Sequence, residues 1–419
     1  MLKYLILVVQ NTLTLAVLLS MLASLSRISG EAKQKQGLRA GFIFGTAFAL
    51  LLAILKSQTV LINREYWNIG ILSVAIVSEI FYCVSIWGGL GKIKPAARGN
   101  ISRAIYFVLT AALVVFVLPD IFLYPGQFLL ADESLFSTDF LFKLIGYLAG
   151  LSLVFVSGAA LSNTGSALPQ KIVRGILTIA LAVTIVSQVS TILQFLLARR
   201  VIPMSKGLFG FIKTTINYSD FFLYAIMAVT ALLPVLAWLR SRHPEDNSTN
   251  PAGRRKILAL AIRQRRWCAV LLAGYVLSIF CLTGVKAYDE REVVLSPAEP
   301  MNIVGDEIGI PLESVSDGHL HRFVYTAQDG VEVRFIIIKK NANTDAYGVG
   351  LDACDICGPT GYYERGNNEV VCKLCDVVMN TNTIGFKGGC NPVPLAYTMS
   401  GGNMVIQTQS LEDESRRFA

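Results

Sequence analysis

Eight long apolar runs most constrain what this sequence can fold into. Each has about 20 residues, the length that an α-helix needs to cross roughly 30 Å of hydrocarbon. They cover residues 3–25, 40–58, 68–90, 104–124, 140–162, 175–198, 218–239 and 267–285. With 53% hydrophobic and 16% charged residues, the composition excludes a wholly soluble protein. We therefore expect a multi-span α-helical membrane bundle.

Charge divides the chain into residues 1–285 and residues 286–419. The first part has a net charge of +16 and the second a net charge of −8. In the first part, alternate loops carry 18 Lys and Arg residues, and such loops stay on the cytoplasmic side. This orientation predicts a multi-pass protein of a bacterial inner membrane, with residues 286–419 as an extracytoplasmic domain.

Ionisable residues inside a membrane span are costly, so they are candidates for function. Glu79 and Asp120 are the two that qualify. Glu79 lies deep in its span, which favours a role with a proton or a cation. Asp120 lies near the outer end of its span, where it can instead simply reach water.

Single thiols and histidines limit what the membrane part can hold. Cys83, Cys268 and Cys281 lie singly on apolar helices, and we expect them to be packing residues. The histidines are His243, His319 and His321, and none lies in a span, so the bundle cannot hold a bis-histidine haem. Any redox centre must lie after residue 285 or come with a partner.

The C-terminal part has the alternating pattern of β-strands. Two strands, residues 321–327 and 331–340, are joined around Asp329-Gly330, which is typical of a hairpin turn. Residues 377–386 and 404–409 are candidates for further strands. We expect a small β-rich domain.

Five cysteines in this domain have regular spacing. Cys354 and Cys357 form one C-x2-C pair, Cys372 and Cys375 form another after fourteen residues, and Cys390 follows after fourteen more. Two such pairs are typical of a metal site that holds zinc, a single iron or an iron-sulfur cluster, and the spacing does not choose among these. The alternative is structural or redox disulfides, which would leave Cys390 unpaired.

Two histidines precede the first strand of the hairpin. His319 and His321 flank Leu320, and alternation places both imidazoles on one face. This placement suits a second metal site or mixed Cys/His ligation, while a surface-exposed pair is the other interpretation.

The motifs of the C-terminal domain resemble a known family. Five segments, roughly within residues 300–400, together resemble the FtrD-like family of membrane iron-sulfur proteins: Asp317-Gly-His-Leu-His-Arg-Phe323, Val333-Arg-Phe-Ile-Ile-Ile-Lys339, Asp352-Ala-Cys-Asp-Ile-Cys-Gly-Pro-Thr-Gly-Tyr362, Val371-Cys-Lys-Leu-Cys-Asp376 and Thr383-Ile-Gly-Phe-Lys-Gly-Gly-Cys-Asn-Pro392. By position, the resemblance implies an iron-sulfur cluster with its ligands among Cys354, Cys357, Cys372, Cys375 and Cys390.

The resemblance also implies a function. It implies an accessory component of a bacterial high-affinity iron uptake system, which works beside an iron permease and periplasmic copper- or iron-binding proteins. Our leading hypothesis is an electron-transfer protein with an iron-sulfur cluster or thiolate-bound iron, rather than an enzyme. The alternatives are a thiol-disulfide relay with a thioredoxin-like partner, and a transporter with a structural zinc tail that uses Glu79 and Asp120 along a cation path.

Overall fold

The computed structural model forms two compact units, Met1–Glu290 and Arg291–Ala419. It describes residues 1–58, 63–89, 91, 93–128, 138–203, 205–242, 250–289, 291, 294–341, 345–365 and 369–418. His243 lies outside these described residues. The first unit is helical and the second is built from β-strands and loops.

In its described parts the first unit contains ten α-helices of eleven residues or more, and a four-residue helix, Lys286–Asp289, follows them. The ten longer helices are α1 (Leu2–Ser29), α2 (Ala32–Gln58), α3 (Arg64–Val84), α4 (Pro95–Leu123), α5 (Thr138–Gly165), α6 (Gln170–Ala198), α7 (Lys206–Asn217), α8 (Ser219–Thr230), α9 (Leu232–Arg242) and α10 (Pro251–Phe280). Eight helical segments are long and apolar enough to cross a membrane, and they coincide with the eight predicted runs. The predicted multi-span architecture is confirmed.

Several helices extend beyond their apolar runs. α10 begins at Pro251, and the side chain of Asn250 caps it by accepting a hydrogen bond from the Gly253 N–H group. An Asn cap followed by proline is a strong helix start. Residues 254–256 and 263–266, which precede the predicted apolar run 267–285, therefore lie on the helix.

The seventh span consists of two helices, α8 and α9. Proline lacks an N–H group, and its ring clashes with the carbonyl four residues earlier. Pro234 therefore opposes a continuous helix through Thr230, where α8 ends. The Thr230 hydroxyl lies 2.8 Å from the Tyr275 hydroxyl of α10, which ties the break to its neighbour.

Glycines let α2 pack closely on α4. Gly37, Gly41 and Gly45 are buried on one face of α2. A Cβ atom at Gly41 would lie only 2.5 Å from the carbonyl oxygen of Phe107 in α4. Small residues at such spacing are typical of membrane helices whose backbones touch.

The second unit contains three antiparallel sheets. Its strands are β1 (Asn302–Val304), β2 (Glu307–Pro311), β3 (His321–Thr326), β4 (Glu332–Lys339), β5 (Tyr347–Leu351), β6 (Tyr362–Arg365), β7 (Glu369–Cys372), β8 (Val378–Asn380), β9 (Thr398–Ser400) and β10 (Asn403–Gln407). The sheet orders are β1-β2-β10-β9, β3-β4-β5 and β6-β7-β8. The β-rich domain and the β3–β4 hairpin are confirmed.

One predicted strand is much shorter than expected. We expected residues 377–386 to be extended, but β8 ends at Asn380. The Asn380 side chain accepts a hydrogen bond from the Asn382 N–H group and starts a turn over Thr381–Thr383. An Asn side chain that bonds to a nearby backbone N–H group offers the chain a turn in place of the hydrogen bonds that would continue the β-ladder.

The central strand β4 is buried on both faces. Phe335 and Ile337 point into the core shared with β2 and β10. Ile336 and Ile338 point to the opposite face, where they pack with Cys354 and other residues of the cysteine-bearing segments. Successive side chains of a strand alternate between faces, so β4 supplies one wall of the cysteine region.

Candidate metal centre

Short loops at strand ends deliver the five cysteines of the C-terminal unit. Cys354 and Cys357 lie in the turn after β5, Cys372 is the last residue of β7, and Cys375 precedes β8. Cys390 lies in the loop that follows β8. Cys354 and Cys372 are buried, and Cys375 is exposed.

The five sulfur atoms converge in two groups of three. The sulfurs of Cys354, Cys357 and Cys390 lie within 4.8 Å of one another, and so do those of Cys357, Cys372 and Cys375. Cys357 belongs to both groups. All five are free thiols rather than disulfides in the structure. The geometry therefore suits thiolate ligation of metal by both C-x2-C pairs.

Backbone N–H groups point at two of the sulfurs. The Cys357 N–H group donates to the Cys354 sulfur over 3.1 Å. Burial alone would raise the pKa of Cys354, but hydrogen bonds from the N–H groups of Cys357 and Ile356 lower it below its usual value. Burial would raise the pKa of Cys375 as well, but a hydrogen bond from the Val377 N–H group stabilises the thiolate, and the pKa is again lowered. These two thiols are predisposed to ionise.

The neighbouring thiols have the opposite tendency. A hydrogen bond to Cys375 and burial raise the pKa of Cys357. Burial raises the pKa of Cys390 to about 11, and its hydrogen bond to Cys375, over 3.6 Å between sulfurs, adds to the effect. Clustered thiolates repel one another, so a cation is needed to hold all of them deprotonated.

The two C-x2-C turns share a backbone shape but differ in hydrogen bonding. The residue after each second cysteine, Gly358 or Asp376, has a positive φ, 68° and 53° respectively. The next residue is Val377 in one turn and Pro359 in the other. Because proline has no N–H group, Cys357 lacks the donor that Cys375 receives from Val377.

A buried ion pair braces the turns. Arg322 of β3 and Asp352, which follows β5, have almost no exposed side-chain surface, and Arg322 Nε donates to Asp352 Oδ2 over 2.9 Å. The other carboxylate oxygen accepts from the Tyr362 N–H group over 2.8 Å. The Tyr362 hydroxyl donates to the carbonyl oxygen of Cys390 over 2.8 Å. This network was not predicted from the sequence. The signal available there was Asp352, an acidic residue two positions before Cys354.

The two histidines do not join the sulfur groups in the described residues. His319 Nδ1 lies 3.0 Å from a carboxylate oxygen of Glu364, and this hydrogen bond raises the pKa of His319. The ring of His321 lies between Glu299, 2.9 Å from Nδ1, and Asp317, 2.8 Å from Nε2. The structure thus pairs both imidazoles with carboxylates.

The membrane candidates have different surroundings. Glu79 is completely buried and bonds to Gln188. The side chain of Asp120 is 58% exposed and lies 3.5 Å from the Lys56 ammonium. Among the described residues, Cys83, Cys268 and Cys281 belong to no group of metal-ligating side chains.

Eight apolar helices followed by clustered free cysteines define a multi-pass membrane protein with a candidate metal centre in its C-terminal part. Residues 315–418 match the family described as "Membrane iron-sulfur containing protein FtrD-like". The match confirms the resemblance that the cysteine motifs indicated, over this part of the chain. No curated protein and no solved structure matches the chain.

The residues present fit an iron-sulfur centre. The sulfurs are free, they converge in groups of three, and backbone N–H groups stabilise two of them as thiolates. Thiolate ligands and N–H donors to sulfur are what such a centre requires of a protein. The family match and the cysteine cluster together fit a membrane iron-sulfur protein.

Proposed function

We propose that the protein is an electron-transfer component of a high-affinity iron uptake system. The observation that carries the proposal is the convergence of five free sulfurs, with Cys357 common to both groups of three. A bound iron-sulfur cluster or thiolate-bound iron would supply one-electron transfer, at a potential tuned by hydrogen bonds to sulfur.

The chain's own residues would hold and tune that centre. Cys354 and Cys375, the thiols with lowered pKa, would ionise first and start ligation. The ion pair of Arg322 and Asp352 fixes the turn after β5, and Tyr362 fixes the loop of Cys390. Rigidly held ligands move little when a bound centre gains or loses an electron, so the reorganisation energy of electron transfer stays small.

The proposed setting is the inner membrane, with the C-terminal unit on the extracytoplasmic side. There it would exchange electrons with iron that passes from periplasmic copper- or iron-binding proteins to an iron permease. The Lys and Arg residues between alternate apolar runs, some of which lie at the start of α10, support this orientation. A C-terminal reporter that is active only outside the cytoplasm should be active, and an inactive reporter would contradict the orientation.

Metal analysis of the full chain, purified anaerobically, tests the cofactor. We expect iron and visible absorption that dithionite bleaches, together with acid-labile sulfide for a cluster but not for thiolate-bound iron. Cys357→Ser should lose most of the iron and of the absorption. Cys268→Ser is the matched control because Cys268 is a buried thiol in the helical unit. Stoichiometric zinc without iron would contradict the proposal and favour the transporter with a structural zinc tail.

Growth on limiting iron tests the biological role. A strain that lacks the gene should grow poorly when iron is scarce, and the wild-type gene and Cys268→Ser should restore growth. Cys357→Ser should fail, although it reaches the membrane in equal amount. Full rescue by Cys357→Ser would separate the centre from iron uptake.

Cys375 and Cys390 favour one second function, a thiol-disulfide relay. Their sulfurs are 3.6 Å apart, Cys375 is exposed, and its pKa is lowered. In such a relay the Cys375 thiolate attacks a disulfide of a thioredoxin-like partner, which releases one partner thiolate, and Cys390 then releases the second while a Cys375–Cys390 disulfide forms. Cys390→Ser should trap the mixed disulfide if this function operates, and should trap nothing if the cysteines serve only as ligands.

A further inference from the structure

Glu79 and Gln188 face each other inside the helical unit. Glu79 lies on α3 with no exposed surface, and Gln188 lies on α6 with 7% exposed. Gln188 Nε2 donates to Glu79 Oε1 over 2.8 Å. This is the hydrogen bond that the carboxyl group makes within the described residues.

Each of the two groups keeps one oxygen without a donor. Glu79 Oε2 and Gln188 Oε1 are both buried and have no hydrogen-bond partner in the described structure. Unmatched polar atoms are costly, above all where no water is available. Two acceptors cannot satisfy each other unless a proton lies between them.

One proton on Glu79 removes both deficits. A carboxylic acid and a primary amide form a ring of two hydrogen bonds, in which the amide N–H donates to the acid carbonyl and the acid O–H donates to the amide oxygen. The first of these bonds is present. The second requires that Glu79 Oε2 carries a hydrogen and that it faces Gln188 Oε1.

An ionised Glu79 would have too little support. A buried carboxylate normally has a cation or several donors around it, whereas Glu79 has one neutral amide donor. The titratable groups nearest along α3 are Cys83 and Tyr82. The Tyr82 hydroxyl lies 3.2 Å from that of Tyr106 on α4, with Arg174 of α6 near that pair. None of these groups donates a hydrogen bond to Glu79 in the described structure.

A bound metal cation fits the same place less well. Ions such as Ca²⁺ and Mg²⁺ take about six or more oxygen ligands. Here two oxygens are unpartnered. The buried hydroxyls of Ser78 and Thr184, on the two facing helices, already donate to carbonyls of their own helices.

We propose that Glu79 and Gln188 form a proton-binding site in the membrane part of the protein. Glu79 holds one proton as a neutral acid while the pair is closed, and releases it only when α3 and α6 separate enough to admit water. The site would let the bundle take up or give off a proton during its working cycle, and it does not depend on the metal centre.

Infrared spectroscopy of the full chain in lipid nanodiscs tests the site directly. At neutral pH we expect the carbonyl stretch of a protonated carboxylic acid, shifted to lower frequency in D2O. The band should be lost in Glu79→Gln and kept in Asp120→Asn, the matched control with an exposed carboxylate. Gln188→Leu should move the band to higher frequency, because the acid loses its hydrogen-bonded partner.

The variants also distinguish loss of the proton-binding site from misfolding of the protein. Glu79→Gln keeps the shape and allows two amides to form the same paired ring, so its melting temperature should stay close to that of the wild type. If that variant does not fold, the band shift in Gln188→Leu carries the test. Absence of any Glu79-dependent band at neutral pH would overturn the proposal, and so would loss of the band when sodium or potassium is added.

Discussion

Asp352→Asn tests whether the buried ion pair holds the cysteine turns in place. Asp352 has no exposed surface, and its carboxylate accepts from Arg322 and from the Tyr362 N–H group. Asn has nearly the same shape and still accepts one hydrogen bond, so the change removes charge rather than volume. It leaves the Arg322 guanidinium buried without its counterion, and removing one partner of such a pair costs about 3–5 kcal/mol.

Hydrogen exchange with mass spectrometry measures this cost in the full chain. Peptides from β4, β5 and β7 should exchange roughly 100- to several-thousandfold faster in the variant, if opening of this unit governs their exchange. The protein's 4 tryptophans, all at or before residue 267, lie outside the second unit, so their fluorescence should not change.

An ion pair with one exposed member provides the control. Glu369→Gln breaks the contact with Arg365, whose side chain is 48% exposed. Such pairs contribute about 0–1 kcal/mol, so exchange should change several-fold at most. If Asp352→Asn accelerates exchange no more than Glu369→Gln, the bracing role of the buried pair is refuted.

Three further changes test other parts of the molecule. Gly41→Ala should lower the free energy of unfolding of the bundle by about 1–3 kcal/mol, because its Cβ meets the α4 backbone, whereas Gly70→Ala, with open space around it, should not; thermal melts followed by tryptophan fluorescence compare them. Glu364→Gln replaces the carboxylate that raises the pKa of His319 with a neutral amide, so the charge-assisted hydrogen bond is lost. The stability that this bond contributes is fully present below pH 6.5, the ordinary pKa of histidine, and is lost as the pH rises through the raised pKa of His319. In a pH series, the hydrogen-exchange rates of the wild type and the variant should therefore converge at high pH. Tyr362→Phe removes one neutral hydrogen bond to the loop that carries the last cysteine, and exchange there should report a loss of about 1 kcal/mol.

The sequence was most informative where one physical requirement dominates. Crossing hydrocarbon demands about 20 apolar residues, so the eight spans were evident. Asp329-Gly330 between alternating segments predicted the β3–β4 hairpin, and Gly330 has the positive φ, 82°, that such a turn needs. The spacing of the C-x2-C pairs predicted a shared thiolate site, and the structure brings Cys357 of the first pair within 4.8 Å of Cys372 and Cys375 of the second.

Other features depend on contacts between distant residues, which no local pattern encodes. The start of α10 followed from a cap at Asn250 rather than from hydropathy. The pairing of Arg322 with Asp352 joins residues 30 positions apart. Cys390 approaches Cys357 because a long loop returns after β8, and spacing alone left its role open. The place of His321 between two carboxylates likewise depends on Glu299, which precedes the sheet that carries the histidine.

Because of Pro359, the second sulfurs of the two C-x2-C turns differ in their basicity as metal ligands. The Cys375 sulfur accepts a hydrogen bond from the N–H group of Val377, whereas the residue two positions after Cys357 is Pro359, whose tertiary amide nitrogen has no hydrogen to donate. The Cys357 sulfur would therefore be more basic than the Cys375 sulfur as a ligand to a bound metal. Acid should protonate Cys357 before Cys375, and because Cys357 belongs to both sulfur groups, loss of that one ligand would weaken the binding of metal by both.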